Sequence, residues 1–230
     1  DNDGDVHNIT ALMDNSIMGE SVYGIGHYGE KIFLCMDKGI VELDTHEAVV
    51  RETYHLSGSK PYSFAEIDGM FYVATNHGLF KFSAISNMHD KSVWDTPISE
   101  EIYVELAVHD SHLFGRKENG VDEISLNGRA LSILQNTVTY MDSADGCLVF
   151  GNSSHVFIYN DEYTSRWNNI NFKLPKSAKD ITCINGRFYV AEGLEGISSY
   201  DLQNKQFVNP EPLSHLDSPR RDLFYHITFV

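Results

Sequence analysis

Histidines are the residues of this chain best suited to ligate a metal ion or to transfer a proton. The sequence contains 11 of them, and none stands in a His-x-His or His-Glu-x-x-His arrangement. His109 and His112 are three residues apart, but they flank Asp110-Ser111, a pair that is typical of tight turns. We therefore expect a surface turn here rather than a metal site.

Cysteine and serine give no stronger indication of reactive chemistry. Cys35, Cys147 and Cys183 lie far apart without Cys-x-x-Cys spacing, which predicts neither a zinc ribbon nor a disulfide framework. Cys35 lies in the apolar segment 32–36, where we expect a buried thiol that packs as a small hydrophobic group. No Gly-x-Ser-x-Gly nucleophile motif occurs. The sequence thus predicts no catalytic residue, no metal and no cofactor.

Aromatic residues are the better candidates for a binding surface. Tyr62, Tyr103 and Tyr140 precede or begin predicted inner strands near one rim of the molecule, and Trp94 follows a predicted third strand. Aromatic rings can stack on a ligand, but they can equally fill the space between layers of sheet. We predict a ligand or partner rim at these four residues, while for Trp94 packing between blades is the preferred interpretation.

An internal repeat of about 40 residues supplies the elements that would position this rim. Its turn residues recur at steps of 40, 42, 35 and 40, at Gly29, Gly69, Ser111, Gly146 and Gly186. Asp68-Gly69, Asp145-Gly146 and Asn185-Gly186 are pairs that favour tight hairpin turns. A period near 40 with four short strands is typical of a β-propeller blade. No segment shows convincing helical periodicity, and 83–94 is predicted to be an irregular loop.

The repeat predicts an all-β fold, a β-propeller of about five four-stranded antiparallel blades. We expect one propeller domain over residues 1–230. Its predicted repeat units are approximately 21–58, 59–99, 100–136, 137–175 and 176–214, with 215–230 as the first strand of a further blade. Either the terminal strands close a five-bladed ring, or this sequence is part of a longer ring.

Charge and hydropathy exclude two classes of partner. The chain has 33 Asp and Glu against 17 Lys and Arg, a formal net charge of −16. A phosphate backbone would be repelled because its binding requires clustered basic side chains. No apolar run approaches 18 residues, so no transmembrane segment is predicted. We therefore expect no nucleic acid partner.

Four segments resemble one family of propellers in their order and spacing. These are the GIVELD run at 39–44 followed by ETYHL at 52–56, the run MFYVATNHGLF at 70–80, SNMHDKSVW at 86–94, and SPRRDLFYHITF at 218–229. They are similar to the propeller region of PorZ-type proteins of the type IX secretion system of Gram-negative bacteria. The likeness covers about 8–95 and 186–229, while a missing proline in the third segment and Asp222 in place of asparagine depart from it.

The resemblance implies a non-enzymatic propeller that is extracytoplasmic, at the cell surface or in the periplasm and associated with the outer membrane. Its expected partners are protein subunits of the sortase and attachment complex, with a glycan or lipopolysaccharide as a further ligand. The alternative is an oligosaccharide-sensing propeller of a periplasmic two-component regulator. A propeller enzyme acting on glycans is a third hypothesis, and it would require converging carboxylates.

Overall fold

The structure is a computed structural model that describes residues 19, 21–44, 46–47, 49–56, 58–144, 147–152, 156–159, 168–170, 180–184, 187–191, 197–201 and 206–208. Apart from a four-residue 3-10 helix at Lys91–Trp94, the secondary-structure elements of the described residues are β-strands. No helix in the described residues is long and apolar enough to cross a membrane.

The strands form five antiparallel sheets in which each strand pairs with the next one along the chain. Sheet A contains β1 Val22–Tyr28, β2 Lys31–Met36, β3 Gly39–Asp44 and β4 Val49–His55. Sheet B contains β5 Pro61–Ile67, β6 Met70–Thr75 and β7 Gly78–Ser83. Sheet C contains β8 Glu105–His109, β9 His112–Lys117, β10 Gly120–Ile124 and β11 Ala130–Leu134.

The remaining two sheets repeat the pattern. Sheet D contains β12 Tyr140–Ala144, β13 Cys147–Gly151, β14 Val156–Tyr159 and β15 Asn168–Ile170. Sheet E contains β16 Asp180–Ile184, β17 Arg187–Ala191, β18 Ile197–Asp201 and β19 Gln206–Val208. The all-β fold with successive antiparallel blades is confirmed. The exact boundaries of the repeat units stay a prediction, and segment 215–230 lies outside the described residues.

Contacts divide the chain into two compact units. The first comprises Asp1–Glu118 and Asp122–Ile133, and the second comprises Asn119–Val121 and Leu134–Val230. The first unit holds sheets A and B and most of sheet C, while sheets D and E belong to the second.

Two apolar clusters join the sheets of the first unit. Between sheets A and B, Phe33 stacks on Phe64 with ring centroids 4.4 Å apart, and Cys35 is fully buried in the same cluster. Gly26 of β1 allows this approach, since an added Cβ would lie 2.5 Å from the Phe64 ring. Between sheets B and C, Tyr72 and Leu113 are fully buried. The buried thiol predicted for Cys35 is thus confirmed.

The second unit buries its own central strands. Leu148, Val149 and Phe150 of β13 are fully buried, and so are Phe188 and Val190 of β17. A strand that is covered on both faces is expected to be almost entirely apolar, as these segments are.

Sheet B departs from the predicted four-stranded blade. It has three strands, and a single bridge between Leu79 and Ser99 stands where the fourth strand would begin. The chain after β7 instead forms a loop and the 3-10 helix, whose first turn is capped by Asp90. Val93 and Trp94 pack back onto the cluster between sheets A and B, and this packing diverts the chain from the sheet edge. The irregular loop predicted at 83–94 is confirmed.

The hairpin turns between the first and second strands follow the predicted chemistry. Asp68 and Gly69 have φ of 51° and 73°, and Asp110 and Ser111 have φ of 48° and 62°. Positive φ at both central residues matches the right-handed twist of the flanking strands. The other two predicted pairs, at 145–146 and 185–186, lie outside the described residues.

Candidate functional site

A groove opens in the first unit where two connections meet. It lies between the β2–β3 turn and the segment that joins sheets A and B, and Asp37, Lys38, His55, Leu56, Gly58, Ser59 and Lys60 line it. We call it the rim groove. The strand ends hold its walls, because the Leu56 amide donates to the Lys38 carbonyl at 3.2 Å. The Lys60 amide likewise donates to the Asn76 side chain at 2.6 Å.

Lys60 is the centre of the groove's polar cluster. Its ammonium lies 3.7 Å from the centroid of the Tyr23 ring and 3.8 Å from Oδ1 of Asp37. The Tyr62 ring meets Tyr23 edge to face at a centroid distance of 6.3 Å. A cation over an aromatic face is attracted by the negative face of the ring. Lys60 is therefore held by two aromatic rings and one carboxylate.

Asp37 fixes the other side of this cluster. It accepts a hydrogen bond from the Tyr23 hydroxyl at Oδ1 and another from the Ser21 amide at Oδ2, the latter at 3.2 Å. The Tyr23 ring is thereby held at the mouth of the groove, with 39% of the residue still exposed. The cluster thus presents an aromatic edge and an ammonium to the solvent.

Electrostatics keeps Lys60 charged. Its hydrogen bond with Tyr23 raises the pKa of Lys60, and the nearby Asp37 and Tyr62 act in the same direction. A catalytic lysine requires a lowered pKa, so that the neutral amine is present near pH 7. The geometry and charge of Lys60 suit recognition of a ligand rather than nucleophilic attack.

The four aromatic residues predicted from the sequence lie in different surroundings. Tyr62 is half-buried and belongs to the Lys60 cluster. Tyr103 is fully buried, with its hydroxyl donating to Oδ2 of Asp122 at 3.1 Å, and Tyr140 is also buried. Trp94 packs edge-on against Phe82 and donates from Nε1 to the Met88 carbonyl at 3.0 Å.

These positions narrow the predicted rim. Buried rings cannot present a face to a ligand, so Tyr103 and Tyr140 act as core residues in this structure. Trp94 takes the packing role that was its preferred interpretation. Tyr62 keeps an accessible position, and its role in binding stays a proposal.

Tyr23, Asp37 and Lys60 were not predicted as site residues. Tyr23 is the second residue of β1 and Tyr62 is the second residue of β5, so the two tyrosines occupy equivalent places in successive repeats. Comparison of the repeats position by position would have found Tyr23. Asp37 and Lys60 lie in connections outside the periodic strands, where the repeat carries no information.

The described histidines that meet carboxylates do so singly. His89 lies 3.1 Å from Glu52, His112 lies 2.6 Å from Glu123, and His46 lies 3.0 Å from Glu30. Within the described ranges, no group of three or more His, Cys, Asp or Glu side chains could hold a metal ion. His109 and His112 do flank the predicted turn, but His109 is buried while His112 is exposed. The surface position expected for His109 is corrected, because its ring lies against the core side of β8.

Successive antiparallel sheets whose strands pair in chain order, each covered by the next within the first unit, define the class: this is a β-propeller protein. Residues 1–95 match the family described as the TSS9, PorZ, N-terminal beta-propeller domain. Over this segment the chain is similar to PorZ-type propellers, so the resemblance expected from the sequence is confirmed. No curated protein sequence matches the chain significantly.

Solved structures share the fold at low identity. PorZ of Porphyromonas gingivalis, a surface component of the type IX secretion system, superposes with a TM-score of 0.71 and 19% identity over 91% of this chain. The extracellular domain of a one-component system, BT4673 of B. thetaiotaomicron, gives a TM-score of 0.60 and 14% identity over 85% of this chain and 30% of that chain. BamB of Moraxella catarrhalis gives 0.52 and 17% over 76% of this chain and 56% of that chain.

The chain spans a part of the PorZ structure. It covers 29% of the length of that protein. At 19% identity the superposition establishes the propeller fold, while the family match over residues 1–95 carries the relation to PorZ-type proteins.

Proposed function

We propose that this chain is a non-enzymatic binding propeller on the extracytoplasmic side of a Gram-negative outer membrane. In this role it recruits subunits of the type IX attachment complex. The match of residues 1–95 with the PorZ N-terminal propeller is the observation that carries the proposal. The P. gingivalis relative is a surface component of that secretion system, which supports the location and the partners.

The rim groove is the proposed contact surface. Lys38, His55 and Lys60 bring basic side chains together in a chain of net charge −16. A locally basic groove with an exposed tyrosine suits an acidic side chain of a protein partner, because a carboxylate can pair with Lys60 while the ring covers its apolar part. A glycan or lipopolysaccharide, whose anionic groups need the same cation, is a proposed further ligand.

A pull-down from the cell envelope of the source bacterium tests this function. We expect the full chain to recover subunits of the attachment complex, and the Lys60→Glu variant to recover at least about tenfold less, since it reverses the charge in the groove. Lys91→Glu serves as the control, because Lys91 lies in the 3-10 helix away from the groove. Recovery of no attachment-complex subunit by the unmodified chain would overturn the proposal.

A ligand-sensing propeller is the second candidate. The extracellular domain of the B. thetaiotaomicron one-component system shares the fold with a TM-score of 0.60, which favours keeping this reading. Calorimetry with neutral and acidic oligosaccharides separates the two candidates. Saturable oligosaccharide binding by a chain that recovers no envelope protein would favour the sensor.

A further inference from the structure

In the part of the chain that the structure describes, the outer edge of sheet B has no strand where the other sheets carry a fourth one. Every second residue of β7 forms main-chain hydrogen bonds with β6. The Ala84 amide donates to the Gly69 carbonyl at 2.8 Å, and in this register Phe82 and Phe80 are the residues of β7 that bond to β6. The main-chain groups of Leu79, Lys81 and Ser83 therefore point away from β6. Leu79 shows this directly, since its amide donates to Ser99 and its carbonyl accepts from Ile98, both at 2.8 Å.

Lys81 is the first residue of this edge that has no strand partner among the described residues. Continuation of the antiparallel register from Leu79 and Ser99 would set Pro97 opposite Lys81, and proline has no N–H to donate. Among the described residues, no main-chain partner bonds the N–H or C=O of Lys81. Its ammonium reaches aside to the Leu126 carbonyl at 2.7 Å. The edge thus offers one donor and one acceptor, with the outward amide of Ser83 as a second donor.

An exposed apolar side chain borders the open edge. Ile85 is 94% exposed, two residues after the end of β7. Its amide is held by the Ser83 hydroxyl at 3.4 Å. A large apolar side chain in this position can cover an apolar residue of a strand added beside β7, as alternate side chains do in strand addition.

Electrostatic interactions limit which strands can pair with the edge of β7. Two copies of this chain that paired at this edge would bring Lys81 against Lys81, and like charges directly opposite are destabilising. Each copy also carries a net charge of −16. A segment of a different protein that is basic overall and places an uncharged residue opposite Lys81 meets neither obstacle, because its net charge complements that of the chain.

We propose that the edge of β7 at Lys81–Ser83, together with Ile85, binds an extended basic segment of a partner protein as the fourth strand of sheet B. The partner segment pairs its main chain with Lys81 and the Ser83 amide and sets one apolar side chain on Ile85. This surface is separate from the rim groove, so binding here does not depend on the proposed contact through Lys60.

Fluorescence anisotropy with a labelled peptide tests the proposal on the full chain. The probe has the seven residues of β4, Val49–His55, with Glu52→Lys, because β4 is the natural fourth strand of sheet A and the change makes the peptide basic. We expect saturable binding that Lys81→Pro weakens at least about tenfold relative to Lys81→Ala. Both variants lose the lysine side chain, but only proline removes the outward N–H, and an edge strand tolerates proline there.

Three further measurements make the outcome decisive. Ile85→Asp should weaken binding, and Leu131→Asp, the same change at an exposed apolar residue of β11, should leave it unchanged. The same peptide with alternate amides N-methylated should bind the unmodified chain at least about tenfold more weakly, and this holds even if Lys81→Pro fails to fold. Equal binding by Lys81→Pro and Lys81→Ala, equal binding of the N-methylated peptide, or no saturable binding would each overturn the proposal.

Discussion

Two buried carboxylates in the first unit each bond to one tyrosine and one lysine. Glu42 on β3 accepts from the Tyr54 hydroxyl at 2.6 Å and pairs with Lys31 of β2 at 2.8 Å. Asp122 on β10 accepts from Tyr103 at 3.1 Å, and Lys117 of β9 lies 2.7 Å away. A buried carboxylate is tolerated where hydrogen bonds and an opposite charge replace water. Each sheet thus carries one lysine and one tyrosine for one acid.

Tyr103→Phe is expected to destabilise the fold by about 1–3 kcal/mol, because Asp122 would lose a donor while remaining buried. Oδ1 of Asp122 has no hydrogen-bond partner among the described residues, so after the substitution Lys117 alone would bond this carboxylate. Urea unfolding measures the change. Tyr28→Phe is the matched control and should change stability by less than about 0.5 kcal/mol. Equal effects of the two substitutions would contradict this account of Asp122.

Asp44 provides a prediction in acid. The backbone amide of Glu47 and the guanidinium of Arg51 hold the pKa of Asp44 below its ordinary value. A lowered pKa contributes stability that is present above the unfolded value, 3.8, and is lost as the pH falls through the folded value. We expect carboxyl NMR titration to give Asp44 a pKa below 3.8 and Arg51→Ala to raise it. An unchanged pKa in Arg51→Ala would show that the guanidinium has no part in the shift.

Single residues in strands were predictable, and those in connections were not. The burial of Cys35 followed from the apolar residues on either side of it. Tyr103 was expected at an exposed rim because it comes just before an inner strand, yet its ring turns into the core between sheets B and C, where Asp122 binds its hydroxyl. That contact joins residues 19 positions apart, and no local sequence pattern predicts it.

At the scale of elements, two hairpin turns with the same backbone differ in their second residue. Gly69 adopts its positive φ without strain, whereas Ser111 adopts φ of 62° with a side chain. Exchanging the residue types should therefore have opposite effects. We expect Ser111→Gly to stabilise the protein by up to about 1 kcal/mol and Gly69→Ser to destabilise it by about 1 kcal/mol.

Thermal unfolding of the two turn variants checks the signs, with exposed Asn127→Ala as a control for the procedure. Destabilisation by Ser111→Gly would mean that the serine side chain contributes more than its backbone conformation costs.

The elements of sheets A and C match their predicted pattern closely, since alternation and turn pairs define each strand. The three-stranded form of sheet B could not be predicted from alternation and turn pairs. The loop after β7 was predicted, but the loss of the fourth strand depends on Trp94 packing against Phe82 and on Pro97 at the edge. These are tertiary and conformational effects that a repeat period does not contain.

At the scale of the whole molecule, the main long-range interaction is the electrostatic repulsion that follows from the net charge of −16. Self-repulsion of like charges destabilises a compact chain, and salt screens it over about 10 Å at 0.1 M. We expect the melting temperature to rise by a few degrees between about 10 mM and 200 mM NaCl. A decrease would show that exposed pairs such as His89–Glu52 and Lys117–Glu101 outweigh the general repulsion.

The class of the molecule followed from its period, because a blade can bury its faces only against neighbours of the same kind. The rim groove did not follow, since it is assembled from the connections of two successive sheets. Its cation, ring and carboxylate come from residues 60, 23 and 37. Their chain positions alone give no reason for them to meet.

The fully buried thiol of Cys35 can report local opening of the protein. Desolvation raises the pKa of Cys35, and alkylating reagents attack the thiolate. In a variant that carries Cys147→Ser and Cys183→Ser, the rate of the maleimide reaction at Cys35 should not exceed the rate at which β2 and β3 separate from sheet B. Mass spectrometry of that reaction would time the opening of a single blade interface without the introduction of a new cysteine.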